Sequence, residues 1–305
     1  MSPAFCMKDA MTRRTATLIG FTAVLLWSLL AVLTVATAPM PPFQLTALTF
    51  AIGAGVGLVW GLATGTLGLL RRVSWRVYAA GTVGLFGYHA LYFSALRLAP
   101  PAEAGLIAYL WPLLIVLLSG LLPGEVLRRG HVAGAMLGFA GAALIILGGR
   151  GEPGTGAFLG YALALLCALF WSGYSVLSRR FGNVPTVSVT VFCAATAVLS
   201  AAVHMMIEAT VWPSPQGWLA VLALGLGPVG LAFFVWDIGC KRGDIQLLGT
   251  ASYAAPVLST LALVVAGLSP ATWALGAATF LIVGGAALAA RASAGKGGVS
   301  RPTGG

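Results

Sequence analysis

Charge is what this sequence has least of. Only 8% of its 305 residues are charged, against roughly a quarter in an ordinary soluble domain. A water-soluble fold of this length has too little interior for a chain that is 59% hydrophobic, with a mean hydropathy of +0.97; a bilayer has enough. Acidic residues number seven, and none falls at the centre of an apolar run. HExxH, GxSxG and paired central carboxylates are all missing, which removes the usual grounds for an intramembrane protease or transferase. Cysteine is sparse too. Cys6, Cys167, Cys193 and Cys240 share no CxxC spacing, so neither a disulfide framework nor a zinc knuckle is expected. The chain calls for no metal and no cofactor.

What is abundant is long apolar runs. A spanning helix needs about 20 mostly apolar residues, and such runs recur at 16–36, 43–63, 77–96, 102–122, 132–149, 157–178, 187–207, 218–239, 246–266 and 271–290. They are continuous rather than alternating with period two, which argues against a barrel. The expected fold class is therefore an all-α polytopic membrane protein of ten transmembrane helices. The first run follows Lys8, Arg13 and Arg14 as a signal peptide would. It is longer than the usual signal core and ends without a small-x-small cleavage site, so a retained helix is expected.

The net charge of +10 is a topology signal, not a nucleic-acid signal. Fifteen of the seventeen Lys and Arg fall in alternate connections and at both ends; Arg97 and Arg150 alone lie on the other side. The positive-inside rule then places both termini in the cytoplasm of a bacterial inner membrane. Lipid is the expected macromolecular surrounding, a monomer is favoured, and no nucleic-acid partner is expected.

A single offset of 144 residues brings the two halves into register. Leu25-Leu26-Trp27-Ser28 falls on Leu169-Phe170-Trp171-Ser172, Pro41 on Pro185, Tyr92 on Trp236 and Arg97 on Lys241. Gly105, Tyr109 and Pro112 fall on Gly249, Tyr253 and Pro256, and Gly141-Ala142-Ala143-Leu144 on Gly285-Ala286-Ala287-Leu288. The organisation expected is a short cytoplasmic segment (1–15), a five-helix repeat (16–149), a second one (157–290) and a disordered tail (291–305). Five crossings are an odd number, so the second copy is expected to lie inverted, as in many alternating-access carriers. Consecutive helices are expected as antiparallel neighbours. Glycines at 53, 57, 61 and 65, and at 130, 134 and 138, offer small-residue packing faces.

Candidate chemistry gathers at mid-span. Pro112, Pro228 and Pro256 each remove a backbone bond and are expected to free the carbonyls of Ala108, Leu224 and Ser252. A cavity is the favoured reading at Pro112 and Pro256, each three residues after a tyrosine, whereas a plain kink serves as well at Pro228. Tyr88, His89 and Tyr92 share one helix face. An ionisable group at His89's depth points to function, although a hydrogen bond to a neighbouring tyrosine or carbonyl would also account for it. Tyr109, Trp111, Trp171 and Tyr253 lie too deep for an aromatic belt, unlike Trp75, Trp212, Trp218 and Trp273. Asp237, four residues before Lys241, reads as an interfacial ion pair. Glu103, opening a helix near Arg97, reads as a gate or dipole partner.

Ten spans, a duplicated five-helix unit and Tyr-x-x-Pro at 109–112 and 253–256 resemble the drug/metabolite transporter superfamily, in its EamA-type branch. Gly87-Tyr88-His89-Ala90-Leu91-Tyr92-Phe93 and Ala108-Tyr109-Leu110-Trp111-Pro112 are similar to the bacterial exporters of aromatic and neutral amino acids. The resemblance implies a central cavity with Tyr88, His89, Tyr92, Tyr109, Trp111, Trp171, Ser252 and Tyr253 as candidate lining. It implies export of aromatic and other neutral amino acids, or, alternatively, efflux of organic cations and drugs. No carboxylate sits at a helix centre, which favours facilitated transport over ion coupling. No Arg or Lys does either, which argues against phosphate-bearing substrates.

Overall fold

The computed structural model describes residues 11–99, 101–148, 158–265 and 273–294, and among them every regular element is helical. Six stretches are long and apolar enough to cross a bilayer: 13–34, 42–63, 158–180, 186–207, 215–242 and 276–293. The helices are α1 (Arg13–Ser28), α2 (Leu30–Val35), α3 (Pro42–Ala63), α4 (Trp75–Leu98), α5 (Pro101–Ala108), α6 (Trp111–Ser119) and α7 (Arg129–Gly148). They continue as α8 (Phe158–Arg180), α9 (Val189–Ile207), α10 (Pro215–Leu226), α11 (Ala232–Arg242), α12 (Ile245–Ala251), α13 (Ala254–Val265) and α14 (Trp273–Ala294). α14 carries helix four residues beyond the expected boundary at 290. Residues 1–10 and 295–305 lie outside the described part.

Four of the apolar runs are broken where proline or a turn interrupts the backbone ladder. α1 gives way to α2 at Leu29, α5 to α6 at Tyr109-Leu110, and α12 to α13 at Ser252-Tyr253. Between α10 and α11 the helix widens into a π turn at Gly227–Leu231 that holds Pro228. An expanded turn of this kind accommodates a residue that cannot donate to the ladder.

Consecutive helices are not the chief partners, contrary to the expectation from short connections. The main packings are α7 on α14, α3 on α9, α4 on α8 and α1 on α11, each joining the first half to the second. Exchanging the halves maps these four pairs onto themselves, the relation a pseudo-two-fold axis produces. The reason lies in the small-residue faces, since lipid offers helices no hydrophobic drive to associate. A Cβ added at Gly20 would lie 2.7 Å from the Cα of Gly239, so α1 and α11 touch backbone to backbone. Gly53 abuts Gly230, and Gly57 receives Thr190 and Phe234. Gly65 leaves this stripe: it lies beyond α3 with φ of +65°, a turn conformation suited to glycine.

Gly20→Val is expected to lower stability by about 1–3 kcal/mol, because the added methyls meet backbone rather than a movable side chain. A reduced thermal midpoint of the detergent-solubilised protein checks this.

Candidate functional site

Where the two halves meet, four tryptophans form one cluster. Trp27 from α1, Trp111 from α6, Trp171 from α8 and Trp236 from α11 make six pairs, all with ring centroids 5.1–6.2 Å apart. Trp27 and Trp171 occupy equivalent repeat positions. Each half contributes two of the four rings. Phe233 joins through Trp27 and Trp171, and Phe50 stacks on Phe233 at 5.3 Å. Edge-to-face and offset contacts of this kind contribute about 0.5–1.5 kcal/mol per pair beyond area burial.

The half-buried face of the cluster belongs to α4. Tyr88 lies 5.4 Å from Trp171, and Tyr92 stacks parallel to Tyr88 at 6.0 Å. His89 meets Phe50 edge-on at 4.9 Å and donates through Nδ1 to the Leu85 carbonyl at 2.7 Å. A carbonyl can only accept, so Nδ1 carries a proton and Nε2 is an acceptor in the neutral ring. Tyr109 is half-buried beside Phe139 and Tyr253 at the break between α5 and α6.

Two of the breaks draw a partner from the other half. The Trp27 indole N–H donates to the Pro228 carbonyl at 3.0 Å, tying α1 to the π turn. The Leu113 amide, just past Pro112, donates to the Tyr253 hydroxyl at 3.1 Å. That bond turns Tyr253 away from the tryptophans, into a separate cluster with Val116, Ala135 and Ile282. Ser252 is fully buried, and its hydroxyl donates to Leu248's carbonyl at 2.7 Å. Its own carbonyl, expected to be free, accepts the Ala255 amide. Pro256 is buried behind the same break.

At the end of the bundle that carries most of the basic residues, charge replaces aromatics. Arg13 Nη2 lies 3.2 Å from both a Glu125 and an Asp244 carboxylate oxygen, and Arg179 pairs with Glu125. Arg179 also donates to the carbonyls of Cys240, Lys241 and Gly243. Glu125 is 3% exposed. This network ties the start of α1, the loop after α6, the end of α8 and the loop before α12. Asp237 bonds Lys241 at 2.7 Å as expected, but both are buried rather than at an open interface, and Ser178 donates to Asp237 at 2.8 Å. The α8–α11 packing covers them. At the opposite end Glu208 accepts the Phe43 and Gln44 amides, holding the α3 N-terminus.

The EamA-like transporter family matches residues 14–147 and again 158–291. The chain belongs to that family. The aromatic amino acid exporter YddG of Ancylobacter novellus is 60% identical over 284 residues, spanning 92% of this chain and 98% of that protein. The Escherichia coli protein of the same name is 25% identical over 300 residues, spanning 91% and 97%. A crystal structure of a protein 59% identical to this chain superposes with a TM-score of 0.89, covering 92% of this chain and 99% of the other. The EamA-type resemblance read from the motifs therefore holds, and the relatives are named as exporters, not enzymes.

Within this EamA-like chain, Tyr88, His89, Tyr92, Trp111 and Trp171 gather around one aromatic centre, whereas Tyr109 packs against the separate cluster that holds Tyr253. Tyr253 and Ser252 do not join it. The side chains of Arg97 and Glu103 lie outside the described residues. Sequence reasoning missed Trp27 and Trp236 as members of the centre, although both stood opposite candidates in the repeat alignment: Trp27 opposite Trp171, Trp236 opposite Tyr92. It also missed Glu125 and Asp244, whose partners are remote in the chain.

Tyr253→Phe is expected to leave the half-buried Leu113 amide unpaired and to cost about 1 kcal/mol. Its thermal midpoint should fall while the half-saturating substrate concentration stays unchanged; a shift in the latter would give Tyr253 a ligand contact.

Proposed function

We propose that the chain exports aromatic and other neutral amino acids across the bacterial inner membrane. In this reading it is a ten-span carrier of two inverted repeats, 16–149 and 157–290, flanked by cytoplasmic segments 1–15 and 291–305. It works by alternating access, as a facilitator. The observation that carries the reading is the four-tryptophan centre, built half from each repeat and faced by Tyr88, His89 and Tyr92.

The chemistry suits a zwitterion with an aromatic side chain. Ring faces and indole edges take the substrate's ring. Tyrosine oxygens, His89 Nε2 and the ring quadrupoles accept its ammonium. Tyrosine O–H groups donate to its carboxylate. A relative 60% identical and named an aromatic amino acid exporter supports this class. Efflux of organic cations is the second reading; the aromatic faces favour it, and the lack of a carboxylate among the described residues of the centre disfavours it.

The ion network is, in this reading, the closed cytoplasmic gate. Arg13 and Glu125 come from the first repeat, Arg179 and Asp244 from the second. Alternation then requires the two sets to part.

Counterflow of radiolabelled phenylalanine in proteoliposomes tests the reading, with methyl viologen and a sugar phosphate as competitors. Uptake driven by internal unlabelled phenylalanine, insensitive to both, is expected; flat traces from folded protein rule the reading out. Trp111→Ala should reduce that flux about tenfold or more, as loss of two or more aromatic contacts implies, with normal amounts of folded protein in the membrane.

Glu125→Gln should loosen the gate. Cys240 is fully buried behind Arg179, so its alkylation by N-ethylmaleimide, mapped by mass spectrometry, is expected to speed up several-fold. An unchanged rate would take Glu125 out of the gate.

A further inference from the structure

Many of the basic residues come in neighbouring pairs, and each pair turns one cation inward and one outward. Arg13 joins the ion network while Arg14 is exposed. Arg128 donates to the Ala292 carbonyl while Arg129 is exposed. Arg179 pairs with Glu125 while Arg180 is exposed, and Lys241 bonds Asp237 while Arg242 is exposed. The connection between α3 and α4 departs from this pattern. Arg71, Arg72 and Arg76 are all exposed, and none has a side-chain hydrogen bond or ion pair among the described residues. Like charges this close repel one another, and the carboxylates of Glu125, Glu208, Asp237 and Asp244 are engaged elsewhere. The cluster therefore lacks a counter-charge that only something outside the chain can supply.

These arginines stand on a fixed platform. Leu67–Arg72 forms a short 3-10 helix, and the Tyr78 hydroxyl donates to its Leu70 carbonyl at 2.7 Å. Ser74 caps the start of α4. Leu67 packs over Gly61 together with Val187 of the second half: a Cβ added at Gly61 would lie 2.4 Å from the Leu67 Cδ2 and 3.0 Å from the Val187 Cγ2. The last turns of α3, which lead into the connection, present Leu58, Val59 and Leu62 outward, and Trp75 is 72% exposed. Three unpaired cations thus lie next to an apolar wall and one exposed indole, the order in which a lipid arranges headgroup, interface and acyl chain.

We propose that the connection between α3 and α4 is a binding site for one anionic phospholipid of the leaflet at the basic end. Its phosphodiester takes Arg71, Arg72 and Arg76, whose planar forks suit phosphate oxygens. Its acyl chain lies on Val59 and Leu62, with Trp75 at the level of the headgroup. Charge complementarity decides against a zwitterionic lipid, whose own ammonium would meet three other cations. A lipid held here ties the first half to the second, because Leu67 of the platform is seated on Val187, just before α9. The proposal rests on this connection lying at a membrane surface, and it is independent of which solute the protein carries.

Native mass spectrometry of the full chain, released from detergent holding phosphatidylglycerol and phosphatidylcholine in equal amounts, tests it. The unaltered protein is expected to retain phosphatidylglycerol in clear preference. Arg72→Gln should lower that retention about fivefold, the effect of one cation beside an anionic headgroup. The triple variant Arg71→Gln, Arg72→Gln, Arg76→Gln should abolish the preference. A matched variant, Arg14→Gln, Arg129→Gln, Arg180→Gln, removes the same charge and should keep retention within about twofold, since distant exposed charges are screened. All six side chains are exposed, so both triple variants are expected to fold, with thermal midpoints like that of the unaltered protein. Equal losses in the two would make the attraction a diffuse property of the basic end and overturn the site. Equal retention of the two lipids by the unaltered protein overturns it as well. Displacement of the lipid by millimolar glycerol phosphate would make the ligand a soluble phosphate and overturn the lipid assignment.

Discussion

A helix broken inside a bilayer exposes backbone amides and carbonyls that lipid cannot satisfy, and each one left unpaired costs several kcal/mol. That constraint shapes this fold more than any other. Both breaks that need an outside partner find it in the opposite half: the Pro228 carbonyl takes the Trp27 indole, and the Leu113 amide takes the Tyr253 hydroxyl. The two halves are therefore joined through the irregular backbone as well as through packed faces. Positions where proline forbids a regular ladder are the same positions that hold the halves in register. Trp27 then has two duties on one ring, since its N–H secures the π turn while its faces build the aromatic centre.

Hydropathy and repeats made the architecture readable because both depend on composition along the chain. Continuous apolar runs require helices in lipid, and ungapped agreement at offset 144 requires a duplication, whatever the side-chain details. Packing partners were less readable. Short loops suggested neighbours in sequence, whereas glycine faces such as Gly20 against Gly239 favour partners across the halves. Loop length limits which helices can be adjacent; small-residue faces decide which ones bury their backbones together.

The site was partly legible for a similar reason. Tyr88, His89 and Tyr92 could be placed on one face by helical spacing alone, and the unbroken α4 preserves that spacing. Ser252 and Tyr253 form a break, where the chain leaves helical geometry and rotation of the next segment is no longer set by counting residues. Tyr253 faces a different cluster, and the Ser252 hydroxyl turns back to the Leu248 carbonyl. Glu125 and Asp244 were illegible for another reason: a charged residue in a loop reads as solvated, and only the fold brings Arg13 across 112 positions to Glu125. His89 matches the plainer of its two readings in its bond to Leu85, and that bond in turn assigns its tautomer.

One stripe of α8 connects these observations. Trp171, Tyr174, Ser175, Ser178 and Arg179 follow helical spacing along one face, running from the aromatic centre to the ion network. α11 answers it residue by residue: Trp236 bonds Ser175, Asp237 bonds Ser178, and the carbonyls at 240 and 241 bond Arg179. These bonds join the two helices of the second half along their length. Against them stand Trp27, Trp111, Arg13 and Glu125, all from the first half. The aromatic centre and the ion network thus divide along the same seam, two residues from each half in both. Separation along that seam breaks salt bridges at one end and aromatic contacts in the middle. The lost ionic contacts can be replaced by water at the bundle's end, but buried ring faces cannot be hydrated without the full hydrophobic cost. A flat apolar ring inserted between the tryptophan pairs would offset that cost.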